Sequence, residues 1–242
     1  MNARRGNILF LILLAIVLFA ALSYAVTGGF RVREDTKLTE DKARTYASAM
    51  MQYASLIENS LQRMILTKDI KLEQIDWRGN FSDNSANASC TSTGNSTSCR
   101  IFHPDGGGVT SMGVPLQATD MTTDITMRST PDESGEMQAF IISVKDVGTS
   151  LPDAVLFFRG VKAEVCDQIN ILGNVYLSGL GPLNENFGSH YEFFQGSASS
   201  PWPTDTFVEF GDTDARVAGK RAFCFKRSAP STYYAVFVVY AM

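Results

Sequence analysis

Met1-Asn2-Ala3-Arg4-Arg5-Gly6-Asn7 opens the chain and passes directly into Ile8-Leu-Phe-Leu-Ile-Leu-Leu-Ala-Ile-Val-Leu-Phe-Ala-Ala-Leu-Ser-Tyr-Ala-Val26. The stretch 8–26 holds no charge, no Gly and no Pro, and only Ser23 and Tyr24 interrupt its hydrocarbon character. At ~1.5 Å rise per residue, a helix of this length spans roughly 28 Å, close to the hydrocarbon thickness of a bilayer. A secretory h-region is shorter. The pattern predicts a long apolar helix that stays in the membrane, broken at its exit by Thr27-Gly28-Gly29, since glycines cost roughly 1 kcal/mol each in a helix interior.

Arg4 and Arg5 precede the span, but Arg31, Arg33 and Lys37 follow it, so flanking charge leaves the orientation open. The cysteines decide it. Cys90, Cys99, Cys166 and Cys224 form no C-x-x-C pair, and His103 and His190, the only histidines, complete no zinc pattern. An even cysteine count behind a hydrophobic leader reads as two disulfides in an oxidising compartment. Of three connectivities, the favoured one joins Cys90–Cys99 across a short polar loop and Cys166–Cys224 across a long span. The loop-closure model gives the longer bridge ~4 kcal/mol before strain. Export of the cysteines places the N-terminus in the cytoplasm.

The leader admits three processing routes: a plain signal anchor, signal peptidase cleavage after Ala25, or cleavage after Gly6 by a prepilin peptidase. Only the third gives a purpose to Arg4-Arg5-Gly6 abutting the span with a polar Asn7 at the junction.

Beyond the exit, Ala43, Tyr46, Ala47, Met50, Tyr53, Ala54, Ile57, Leu61, Met64 and Ile65 recur at three- and four-residue spacing. That is one apolar helix face, with Lys42, Arg44, Gln52, Glu58, Gln62 and Arg63 opposite it. Thr39 is the expected N-cap, with Glu40 and Asp41 in the first turn. Residues 80–98, rich in Ser, Thr and Asn, read as a surface loop carrying three glycosylation sequons at Asn80, Asn87 and Asn95. Strands are expected over 138–144, 154–158, 222–226 and 233–241, the last two forming a terminal hairpin. The run 235–240 is apolar on both faces, which predicts a buried, interior strand. A second helix is expected over 162–172 with Gly173-Asn174 as its stop, and 179–206 reads as loop-rich.

Candidate chemistry is sparse. His103-Pro104-Asp105-Gly106-Gly107-Gly108 has a glycine run able to present amides to an anion, yet no P-loop Lys or dinucleotide pattern accompanies it, so a tight turn between strands is expected. Glu209, Asp212 and Asp214 lack EF-hand spacing, and neither histidine sits beside a nucleophile elbow. No metal, cofactor or catalytic residue is expected. The net charge of −4 gives no electrostatic footprint for nucleic acid, and the clusters Arg31/Arg33/Lys37 and Lys220/Arg221/Lys226/Arg227 read as solvated faces.

Arg4-Arg5-Gly6-Asn7 with the apolar residues after it resembles the class III signal of type IV pilins and pseudopilins. Gly6 to Thr27, Ser98-Cys99-Arg100-Ile101-Phe102, Gly106-Gly107-Gly108, and Cys224 followed by Tyr233-Tyr234 are similar to a set of alphaproteobacterial pilin-like proteins. The resemblance implies a structural filament subunit, not an enzyme: residues 1–6 a leader, 7–29 a transmembrane and assembly helix with its linker, 30–242 an extracytoplasmic α+β domain. In that domain an amphipathic helix packs on an antiparallel sheet closed by a C-terminal hairpin. Arg4, Arg5, Gly6 and Asn7 would then be the processing site, and Ile8, Phe10, Leu11, Leu14, Leu18 and Leu22 the assembly surface. The implied partners are other copies or pilin-like subunits, prepilin peptidase and an inner-membrane platform, with residence in the inner membrane before a surface filament. One departure stands out. Shaft pilins carry Glu at the fifth mature position, here Leu11, and no carboxylate precedes Glu34; this favours a minor or initiating subunit. The competing expectation is a signal-anchored extracytoplasmic binding or enzymatic domain that does not polymerise.

Overall fold

The computed structural model describes residues 12–19, 38–77, 87–91, 97–112, 115–119, 137–149, 151, 153–175, 183, 192–193, 210–211, 214–227 and 232–242. The chain divides into two units, Met1–Lys37 and Leu38–Met242. In the first unit the described residues, 12–19, are helical throughout. The rest of the apolar helix expected over 8–26, and the Gly28-Gly29 break, lie outside the described residues. Among the described residues no helix is long and apolar enough to cross a membrane.

The second unit is built on helix α1 (Glu40–Lys68). No Gly or Pro interrupts this stretch, and its ends suit the helix dipole, with Glu40 and Asp41 in the first turn and Lys68 in the last. Thr39 takes the extended N-cap conformation, yet its side chain makes no capping bond. Its carbonyl accepts from Ala43 N–H at 2.9 Å instead. Asp69 stops the helix in the left-handed region, at φ 53°. The expected stripe is the buried face: Ala43, Ala47, Met50, Tyr53, Ala54, Ile57, Leu61 and Met64 are all buried, with Ser60 among them.

Among the described residues, five strands form one antiparallel sheet: β1 (Met137–Ile142), β2 (Asp153–Val161), β3 (Glu192–Phe193), β4 (Ala222–Arg227) and β5 (Thr232–Tyr240), in the order β3-β1-β2-β5-β4. β4 and β5 are the expected hairpin, with Arg227 opposite Thr232. The interior position of β5 follows from its sequence, because strands apolar on both faces need cover on both. Ala235, Phe237 and Val239 enter one core with Ala154, Leu156 and Phe158 of β2. Tyr234, Val236 and Val238 enter the other with Val155 and Phe157. The alternation is the period-two side-chain geometry of a strand.

The first core takes α1 and helix α2 (Ala163–Leu172), which contributes Val165, Cys166 and Ile169. Phe158 lies at its centre, edge-on to Phe237 at 5.7 Å and to Tyr53 at 6.5 Å between centroids. The second core is closed by Phe210, which stands 5.2 Å from Phe223, 5.5 Å from Phe225 and 5.8 Å from Phe157. Phe210 is held by backbone bonds to Ser143 and Lys145, just beyond β1. Strand β1 therefore ends at Ile142, two residues before the expected Val144, which bridges to Phe210.

Phe158 is fully buried. Phe158→Ala should lower the unfolding free energy by about 3–5 kcal/mol, measured by urea titration; a loss under about 1 kcal/mol would mean that this ring does not join helix to sheet.

Candidate functional site

Of the processing and assembly residues expected in the leader, Arg4, Arg5, Gly6, Asn7, Ile8, Phe10, Leu11 and Leu22 lie outside the described residues. Leu14 and Leu18 lie in the helical stretch 12–19 and are 47% and 61% exposed. Ile12, Leu13, Ile16, Val17 and Phe19 of the same stretch are more than half exposed as well.

All four cysteines pair as expected, Cys90 with Cys99 and Cys166 with Cys224, at Cα separations of 5.8 Å and 5.2 Å. Both bridges are buried. The second fastens α2 to β4.

The region 80–98 is not simply the surface loop that its composition suggests. Asn87 is fully buried. Its Nδ2 donates to the carbonyls of Glu73 at 2.7 Å and Ile75 at 2.9 Å, and its Oδ1 accepts from Ser89 N–H at 2.8 Å. A helical turn, Ala88–Thr91, follows and carries Cys90. The nitrogen that a glycan would use is thus committed to the core, so this sequon is structural. Asn80 and Asn95 lie outside the described residues.

The glycine run is a turn, but it does not join strands among the described residues. It is clamped to the end of α1. Gly106 and Gly107 sit so close to Arg100 and Ile101 that an added Cβ would meet their carbonyl oxygens at 1.8 Å and 2.3 Å. Gly108 has φ +67°, a conformation that favours glycine. The amides of Gly106 and Gly108 donate to His103 O, and that of Gly107 to Arg100 O, each at 2.9 Å. These donors are used internally, so no anion nest forms. The carbonyls face α1 instead: Gly107 O accepts from Ser60 Oγ at 2.8 Å and from Arg63, while Lys68 Nζ donates to Gly106 O at 2.9 Å and to Asp105 O. His103 Nδ1 accepts from Asp105 N–H at 3.2 Å, and His190 lies outside the described residues. Asp214 caps the turn Ala215–Val217 and pairs with Arg216, whereas Glu209 and Asp212 lie outside the described residues. Among the described residues no group of three or more His, Cys, Asp or Glu side chains is placed to hold a metal.

A groove of about 550 Å³ runs between the C-terminal half of α1 and the sheet. Glu58, Leu66, Asp146, Arg221 and Tyr240 line it, and Arg221 Nη2 reaches Glu58 Oε1 across it at 2.7 Å. The pair is part-exposed, which places its worth at about 1 kcal/mol or less. Among the described residues the lining has no imidazole, thiol or aliphatic hydroxyl, and the groove offers ionic and apolar contact. Sequence reading missed it by assigning Glu58 and Arg221 to separate solvated faces. They are 163 positions apart, and no local pattern links them.

Tyr53 bridges α1 to the segment that follows the glycine turn. Its hydroxyl donates to Thr110 O at 3.0 Å and accepts from Met112 N–H at 3.1 Å, stitching the 110–112 segment to α1. Burial pushes its pKa up to about 12, against the opposing effect of the Met112 amide. Ionisation is thus harder in the folded state than in the unfolded one. The stability Tyr53 contributes should be fully present below pH ~10, the unfolded value, and lost as pH rises toward 12. Tyr53→Phe should cost about 1–2 kcal/mol at neutral pH and flatten the alkaline loss relative to wild type in paired denaturation curves; parallel curves above pH 10 would contradict this assignment.

No protein-family model matches the chain, and no curated protein or solved structure matches it.

Proposed function

We propose that this chain is an exported, membrane-anchored subunit of a type IV pilus-like or pseudopilus filament. In this reading a prepilin peptidase removes residues 1–6, and the apolar helix then serves as the contact between subunits. The observation that carries the reading is the helical stretch 12–19, whose Ile12, Leu13, Leu14, Ile16, Val17, Leu18 and Phe19 are 47–74% exposed. Apolar side chains exposed along a helix form a surface that water disfavours. A bilayer covers it first, and neighbouring helices cover it after assembly.

Pairing of such helices gains little hydrophobic free energy while lipid surrounds them, so packing and an external assembly machine must drive extraction. The two buried disulfides support export to an oxidising compartment. An amphipathic helix on an antiparallel sheet is the domain architecture that the resemblance implies. Leu11 in place of a carboxylate favours a minor or initiating role over the shaft. A second reading, an anchored binding domain that does not polymerise, is favoured by the groove spanned by Glu58 and Arg221.

N-terminal sequencing and non-reducing intact-mass analysis of protein isolated from membranes containing prepilin peptidase separate the two. The filament reading expects a mature chain beginning at Asn7 with no alkylatable thiol. A chain beginning at Met1 or Val26 would falsify it.

A further inference from the structure

Histidine is the side chain whose charge ordinarily changes between pH 5 and 8, and His103 is the one histidine among the described residues. Its ring meets Asp105, two residues on, in two ways. Nδ1 accepts from Asp105 N–H at 3.2 Å, and the same nitrogen lies 3.5 Å from Asp105 Oδ2. The first contact needs a lone pair on Nδ1, so in this arrangement the ring is neutral with its proton on Nε2. The second sets one acceptor against another, and it becomes a hydrogen bond only when Nδ1 carries a proton. One nitrogen faces a donor and a carboxylate of the same residue and can serve only one of them.

Asp105 ties this ring to two other parts of the chain. Its Oδ2 also accepts from Thr97 Oγ1 at 3.2 Å, two residues before Cys99. Its carbonyl accepts from Lys68 Nζ at the end of α1. Lys68 and Arg63 are the charged groups that α1 brings to the turn, both bonded to its carbonyls, while Arg100 directs its guanidinium to buried Asp76 at 3.8 Å.

We infer that His103 is an acid-operated switch in the turn that grips the end of α1. On protonation Nδ1 becomes a donor, releases Asp105 N–H and draws Asp105 Oδ2 away from Thr97. The proton comes from solvent, which reaches a ring that is 36% exposed. The exchange trades a hydrogen bond to the backbone for a charge-assisted one to an exposed carboxylate. The turn therefore changes its bonding without coming loose: the Cys90–Cys99 bond and the Lys68 and Arg63 contacts hold it in both states. The neutral arrangement belongs to the upper end of the range and is lost as pH falls.

The test is amide hydrogen exchange by NMR on the full-length protein in detergent from pH 8 to pH 5, with each rate corrected for its intrinsic pH dependence. Protection at Asp105 N–H should fall about tenfold on acidification, the worth of one hydrogen bond. The Gly107 amide, bonded to Arg100 O, should keep its protection. His103→Gln, which accepts through its amide oxygen and gains no charge, should remove the pH dependence, and His190→Gln should leave it intact. The ring-nitrogen shifts of His103 give a reading that needs no variant, and they should change with the same midpoint as the Asp105 amide. Flat protection at Asp105 across the range would overturn the inference. So would a fall that persists in folded His103→Gln, or a midpoint at Asp105 that differs from that of the ring.

Discussion

Everything in the Leu38–Met242 unit depends on covering a sheet that is apolar on both sides. β2 and β5 send Phe158 and Phe237 one way and Phe157 and Val236 the other. An antiparallel sheet with one solvated face would alternate apolar and polar residues; these strands do not, and neither face tolerates water. One face takes α1 and α2 as its layer. The other is closed by Phe210 and its aromatic neighbours, held by backbone bonds from the residues just past β1. The domain is thus a helix-on-sheet structure; among the described residues, Leu183, Phe210 and Val217, outside the strands, help to close its second face.

That arrangement explains why small polar details carry so much of the structure. Irregular segments packed on a core must satisfy their backbone groups without a ladder. Asn87 does this for Glu73 and Ile75, Tyr53 for Thr110 and Met112, and Ser60, Arg63 and Lys68 for the glycine turn. Each of these side chains is polar, and Tyr53, Ser60, Arg63 and Lys68 all stand on α1. The cationic end of α1 does two things at once: it opposes the helix dipole and binds the carbonyls of a loop that has spent its amides on itself.

The periodic parts of this architecture were legible in the residues. The stripe on α1, the hairpin of β4 and β5 and the interior place of β5 follow from spacing and composition, and the cysteine pairing is the one favoured among three connectivities. What stayed hidden was tertiary. Thr39 reads as a capping hydroxyl and makes no cap bond, because propensity describes what a side chain is able to do, not what the fold gives it. Asn87 reads as a surface sequon because Ser, Thr and Asn dominate its neighbourhood, yet its amide is buried and donates to the carbonyls of Glu73 and Ile75. The triple glycine reads as a turn between strands; its requirement comes from Arg100 and Ile101 pressing on it. Glu58 and Arg221 meet only after folding, and no one-dimensional pattern marks such a pair.

The two bridges follow one another along the chain without crossing, the first closing 90–99 and the second 166–224. A protease that cuts the backbone anywhere between Cys166 and Cys224 therefore releases no fragment. The pieces stay joined by the bond between α2 and β4, and β5 keeps its place between β2 and β4 in the sheet. Wherever reductant is scarce, a single cut in this span leaves the two pieces covalently joined.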